Sequence, residues 1–281
     1  MAAEPWRVPE RLWRELEPLL PKIERRFRYP GRRRIDDRAC LEGILYVLRY
    51  GIPWRALPRL EGLPSGQTCW RRLDEWERAG VWPQLLERLQ ERLAEAERID
   101  WSRAIVDASL VDAKKGGAQV ARSQRGRPGS RFHLAVDAGG APLAIRLTPG
   151  NENERRQLLP LVDELLARGL QPLELWADRG YDGEALREAL RARAIEPRIS
   201  RRRRPGEPAP PGSTLVWRGR RRLAKTPDPL GRRRWPIERT NAWLHNWRRI
   251  SIRWERRPEL YLALLQLACS MILCRMLDWS L

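Results

Sequence analysis

Three acidic side chains stand where a bare charge is costly. Asp107 follows the apolar run Ala104-Ile105-Val106, and Asp178 follows Leu173–Ala177 at the head of a turn containing Gly180. Glu238 precedes Asn241, His245 and Arg249 at spacings of 3, 7 and 11, so a continuous helix puts all four on one face. A carboxylate beside an apolar strand needs a partner or a metal ion. Carboxylates on rigid elements suit divalent cations. Two such ions about 3.5–4 Å apart activate the attacking oxygen and stabilise the leaving one in phosphodiester chemistry. Each residue also fits a plainer role. Asp107 can pair with an arginine, Asp178 can open a turn, and Glu238 can favour the dipole of a helix's first turn. Among the other acids, Asp182 fits an N-cap and Asp137 a hairpin turn. Asp112, five residues after Asp107, faces away in a continuous strand.

Sheets and helices must position these groups, and the pattern supplies both. Residues 9–98 read as helices. Leu41, Ile44, Leu45 and Leu48 recur at helical spacing, Gly51 and Pro53 end that helix, and Ser65 caps the next. Ser102–Ser109, Phe132–Asp137, Pro142–Thr148, Leu173–Ala177 and Ile195–Ile199 read as strands, with Ala138-Gly139-Gly140 turning a hairpin. Helices are expected over Glu154–Arg168, Gly183–Arg193, Trp235–Arg249 with Pro236 in the first turn, and Pro258–Asp278, apolar on nearly all sides and therefore buried. The fold class expected is α/β, a helical domain at 1–98 followed by a mixed-sheet domain at 99–281. Lys114–Ser130 reads as a Gly- and Arg-rich loop. Residues 201–234 carry twelve Lys and Arg against Glu207 and Asp228, with six prolines, and read as a flexible basic insertion.

The formal net charge of +19 points to a polyanionic partner, above all nucleic acid. Four cysteines without a Cys-x-x-Cys pair, beside only two histidines, argue against structural zinc and fit reduced thiols. The N-terminus lacks a signal-peptide core. The longest apolar stretch, Tyr261–Cys274, contains Gln266 and falls short of the roughly twenty residues that a membrane span needs. A soluble, cytoplasmic, nucleoid-associated protein without a membrane partner is expected.

Four sequence blocks together resemble the transposases of bacterial insertion sequences of the acidic-triad (DDE) type. The first is Val106-Asp107-Ala108-Ser109 with the later His133–Leu143. The second is Ala177-Asp178-Arg179-Gly180-Tyr181-Asp182. The third is Trp235-Pro236-Ile237-Glu238-Arg239-Thr240 with Trp243-Leu244-His245 and Arg248-Arg249. Gly51–Pro58 looks like the helical domain that precedes the catalytic one in the same family. The likeness covers roughly residues 6–275. It implies a ribonuclease H-like catalytic domain and the triad Asp107, Asp178 and Glu238 as metal ligands. It further implies two Mg²⁺ ions, with Mn²⁺ as substitute, and double-stranded DNA partners at element ends and target, bound by a homodimer or larger assembly. This sequence departs from the family in having Gly231 where a tyrosine often stands. Arg234 keeps the usual arginine, and His245 fills a position that is commonly basic. The DNA contacts expected are Arg71 and Arg72 on a helix-turn-helix-like segment, and Lys114, Lys115, Arg122, Arg125, Arg127 and Arg131 in the loop. Arg201, Arg202, Arg203 and Arg204 in the insertion, and Arg234, His245 and Arg249 around Glu238, complete them. A metal-dependent endonuclease without strand transfer, and an inactive DNA-binding protein, remain open as alternatives.

Overall fold

The computed structural model describes residues 6–24, 27–28, 33–124, 126–201, 214–218, 221–225 and 231–279. Arg125, Arg202, Arg203 and Arg204 lie outside them.

Four helices come first: α1 (Glu10–Leu16), α2 (Asp37–Tyr50), α3 (Gly66–Arg78) and α4 (Val81–Glu95). Their ends are set locally. Ser65 accepts from the Thr68 N–H at 3.3 Å, the side-chain cap expected for α3, and Asp36 caps α2 in the same way, accepting from the Ala39 N–H at 2.8 Å. Gly51 ends α2 in the left-handed conformation (φ +69), with its N–H on the Val47 carbonyl at 2.9 Å.

The sheet follows. Strand β1 (Arg103–Ala113) is central. The two-residue β2 (Ala121–Arg122), β3 (Pro128–Asp137), β4 (Pro142–Pro149), β5 (Glu174–Ala177) and β6 (Glu196–Ile199) join it in the order β2-β3-β1-β5-β6, with β4 paired to β3. The pairs β1–β3 and β3–β4 are antiparallel, whereas β1–β5 and β5–β6 are parallel. Helices α5 (Arg155–Ala167) and α6 (Glu184–Arg191) are the crossovers those parallel pairs require. This is the ribonuclease H-like mixed sheet that the resemblance implied. The short β9 (Ile252–Arg253) adds to the far end of β1.

Four features differ from the sequence reading. β3 starts at Pro128 rather than Phe132, because β1 runs on to Ala113 and holds it in register to Gly129. The basic insertion contains an antiparallel hairpin, β7 (Thr214–Arg218) with β8 (Arg221–Lys225). Helix α7 spans Gly231–His245, so Pro236 lies inside it and Glu238 is not in its first turn. The four-residue α8 (Arg248–Ser251) then breaks the face expected to run on to Arg249.

Helix α9 (Pro258–Met276) is buried on nearly all sides, as its composition demanded. It packs on α3, α4, α7 and β4. With 19 residues it is long and apolar enough to cross a membrane by length and composition, but most of it is covered by this chain, as the expected buried helix at Pro258–Asp278 required. The core it anchors joins Leu12, Leu45, Leu73 and Leu89 of the first four helices to Ile105, Phe132 and Leu134 on one face of the sheet. On the other face, Ala104, Val106 and Ala177 meet Leu158, Leu161 and Leu165 of α5 and Leu190 of α6.

Candidate active site

The pairing of β1 with β5 decides where two of the acids go. Val106 lies opposite Ala177 in a parallel register, and the next residues are Asp107 and Asp178. β5 ends there while β1 continues. Both acids therefore mark the point where two parallel strands part, at the carboxyl end where open sheets bind ligands. Asp178 takes up the Gly180 N–H at 2.7 Å and opens the turn Arg179–Tyr181.

Helix α7 is fastened to β1 by side chains that share one strand face. Asn241 Nδ2 donates to Asp107 Oδ2 at 3.0 Å, and Ser109 Oγ meets His245 Nε2 at 3.1 Å. Glu238 lies about one turn before Asn241 and is exposed. Among the described residues, no three acidic, histidine or cysteine side chains close around one point. Asp107 and Asp178 are thus neighbours, while Glu238 is brought to the same helix–strand contact without joining them in a closed set.

Burial raises the Asp107 pKa to about 6, and the negative charges of Asp178 and Glu154 push the same way. The Ala108 N–H and the Arg234 guanidinium oppose them. Tyr181 closes the turn that Asp178 opens and is buried. Its hydroxyl is buried with no hydrogen-bond partner, and burial raises its pKa, helped by the charges of Asp107, Glu154 and Asp178. Glu154 comes from the N-terminus of α5. Arg131 Nη1 holds one of its oxygens, Oε2, at 3.0 Å.

The chain matches two family models. Residues 102–273 match "Transposase DDE domain" and residues 8–86 match "Putative transposase of IS4/5 family". The chain belongs to the DDE-domain transposases. Among relatives of this transposase, "Putative transposase for insertion sequence element IS402" from Burkholderia cepacia is 41% identical over 177 residues, covering 60% of this chain and 74% of that one. "Insertion element IS402 uncharacterized 16.2 kDa protein" from the same organism is 46% identical over 117 residues, covering 41% and 80%. The solved Mos1 transposase paired-end complex with left transposon end superposes with a TM-score of 0.27 at 15% identity, covering 63% of this chain and 61% of that one; so loose a match supports no argument.

Transposases of this family act on DNA and depend on divalent metal. The site of this transposase suits such an ion in its donor chemistry. It offers hard oxygen donors, a carboxyl whose charge desolvation disfavours, and an orphaned buried hydroxyl that feels the charges of the same acids.

The expected DNA contacts divide. Arg71, Lys114, Lys115, Arg122, Arg127 and Arg201 are exposed. Arg234 is half-buried and acts on Asp107. Three arginines turn inward instead. Arg72 is held by Asp37 at 2.6 Å and Glu75 at 3.1 Å, Arg131 by Glu154, and Arg249 by Glu255 at 2.6 Å and the Ile52 carbonyl at 2.8 Å. Their charges are spent inside the fold and are not offered to phosphates. His245 is kept neutral near pH 7, because burial lowers its pKa below the ordinary 6.5. Sequence reasoning passed over Asn241 as a partner of Asp107, and over Glu154 and Tyr181 altogether. Glu154 follows the end of β4 and opens α5, a strand–helix junction of the type that carries function in open sheets; that was the available signal.

Proposed function

We propose that this transposase cuts DNA at the ends of a mobile element and joins the freed 3′ ends to target DNA, with Asp107, Asp178 and Glu238 as its metal-holding carboxylates. The register of Val106 with Ala177 carries the reading, since it sets Asp107 and Asp178 side by side at parted strand ends. The Asn241–Asp107 bond supports a place for Glu238, because it ties the helix of Glu238 to the strand of Asp107. When bound, two Mg²⁺ ions, replaceable by Mn²⁺, supply a nucleophilic oxygen at neutral pH and stabilise the leaving oxygen. The chain's own part is to hold the carboxylates rigidly, to orient Asp107 through Asn241, and to present the exposed Lys114, Lys115, Arg122 and Arg127 to the phosphate backbone. On this reading the chain divides into a helical region at 1–98 and a catalytic region at 99–281, a division supported by one family model matching on each side of it, at 8–86 and 102–273. Assembly as a homodimer or larger on DNA, and work in the bacterial nucleoid, complete the proposal.

The test uses element-end DNA with a plasmid target in Mg²⁺. Asp107→Asn and Asp178→Asn should abolish both cleavage and joining and leave DNA affinity nearly intact, because the amide keeps the shape and loses the charge. Glu238→Gln should do the same. Asp112→Asn should be nearly silent, since Asp112 is turned to Arg127 at 3.4 Å. Cleavage retained in Asp178→Asn would sink the metal-holding role.

A further inference from the structure

The parted strands leave one carboxylate near Asp178 to which the proposed reaction gives no part. Glu154 Oε1 and Asp178 Oδ1 flank a single point, the place a side chain would start from Gly180. A Cβ built there lies 2.7 Å from Asp178 Oδ1 and overlaps Glu154 Oε1. Only a residue without a side chain lets the two oxygens share that space. Arg131, buried on β3, grips the other Glu154 oxygen and so fixes which way the carboxylate faces. The Tyr181 hydroxyl supplies an independent sign. It is 1% exposed, has no partner, and lies within the electrostatic reach of Asp107, Asp178 and Glu154. A buried hydroxyl without a hydrogen bond calls for an explanation, and a ligand or its water nearby is one. An ion pair serving only to tie β3 to α5 would need neither the bare Gly180 nor the orphaned Tyr181.

We propose that Glu154 is a further carboxylate of the metal site, with Oε1 sharing a divalent cation with Asp178 while Arg131 keeps hold of Oε2. The inference rests on the proposed metal-holding role of Asp178 and adds a residue outside the triad. A hydrogen-bonded carboxylate is a better-oriented metal ligand, and groups that support a metal site are commonly worth ten- to hundred-fold in affinity.

The probe is Mn²⁺ itself, titrated into the full chain without DNA, with free Mn²⁺ read by electron paramagnetic resonance. Thermal unfolding is followed with and without the metal. Glu154→Gln still accepts a hydrogen bond from Arg131, so its metal-free Tm should stay near wild type while its Mn²⁺ affinity falls by about ten-fold or more. Gly180→Ala should weaken Mn²⁺ binding too, by setting a methyl group between the two oxygens. Asp178→Asn is the reference. If Asp178→Asn loses Mn²⁺ and both other variants bind it as wild type does, Glu154 is only the structural partner of Arg131 and the inference is overturned. If Asp178→Asn binds Mn²⁺ normally, the underlying reading fails, and this inference with it.

Discussion

Asp107 places a charge where the fold would rather have none, and pH should reveal it. Its pKa of about 6 in the folded chain lies above the ordinary 3.8. Between those values the folded state holds a proton that the unfolded chain releases, so stability falls as pH rises from about 4 to 6 and the loss is complete above that. Its size is about 3 kcal/mol at 1.36 kcal/mol per unit. Metal-free Asp107→Asn should therefore be more stable than wild type by up to about that amount at pH 7.5, and the gap should close near pH 4. Urea unfolding at the two pH values measures it. His133 works the other way. Burial depresses its pKa to about 3, so stability falls as pH drops below the ordinary 6.5. Both proteins share that loss and it cancels in the difference. Adding Mg²⁺ should reverse the order, stabilising wild type more than the variant; an equal gain in both would count against Asp107 as a ligand. The cost of Asp107 was legible in the sequence because its apolar neighbours are adjacent along the chain. Glu154 was not, because the residues that give it meaning, Asp178, Gly180 and Arg131, reach it only through the fold.

Elements were legible where period and caps agreed. The pattern Leu41, Ile44, Leu45, Leu48 with Gly51 and Pro53 at its end marks α2 without help from the rest of the chain, though its N-cap, Asp36, was passed over. Errors came where a local signal was overridden. Pro128-Gly129 reads as a loop, yet the β1 backbone approaches so closely that a Cβ on Gly129 would lie 2.6 Å from the Val111 carbonyl oxygen. The glycine there admits a neighbouring strand rather than a turn. Pro236 reads as a helix start, yet α7 begins five residues earlier, at Gly231. Arg249 looked like one more exposed cation on a continuous helix, but α8 redirects it to Glu255 and to the Ile52 carbonyl. Arg249→Met should therefore lower stability by about 3–5 kcal/mol, the range for breaking a buried ion pair, through the uncompensated Glu255. A change below about 1 kcal/mol in chemical denaturation would mean that solvent reaches the pair and that Arg249 is free for DNA after all.

At the scale of the whole molecule, the internal ion pairs leave the net charge of +19 intact, because the acids that hold the buried arginines are already subtracted in it. Arg72, Arg131 and Arg249 are matched by Asp37, Glu154 and Glu255, so the excess resides on other residues. The Arg201–Arg204 tract is the better place to find phosphate contacts. Replacing all four with alanine should weaken binding to element-end and random DNA alike, and flatten the slope of log K against log salt by up to about three or four units, at roughly 0.9 per phosphate. A salt titration on both DNAs reads this directly, and an unchanged slope would place the tract away from DNA. Charge, class and the order of the main strands and helices were readable without coordinates, whereas the β7–β8 hairpin, α8 and β9 were not. The shared core was not, because nothing in the pattern of α4 names α9 as its partner. That partnership bears on how the protein is made. The ribosome finishes the first four helices with their apolar face bare, and the helix that covers it comes only after the entire sheet. At about 5–20 residues per second the wait is on the order of ten seconds. Throughout that interval the nascent chain is sticky and open to chaperones and proteases. Each newly made molecule becomes a finished enzyme only once α9 has left the ribosome and docked.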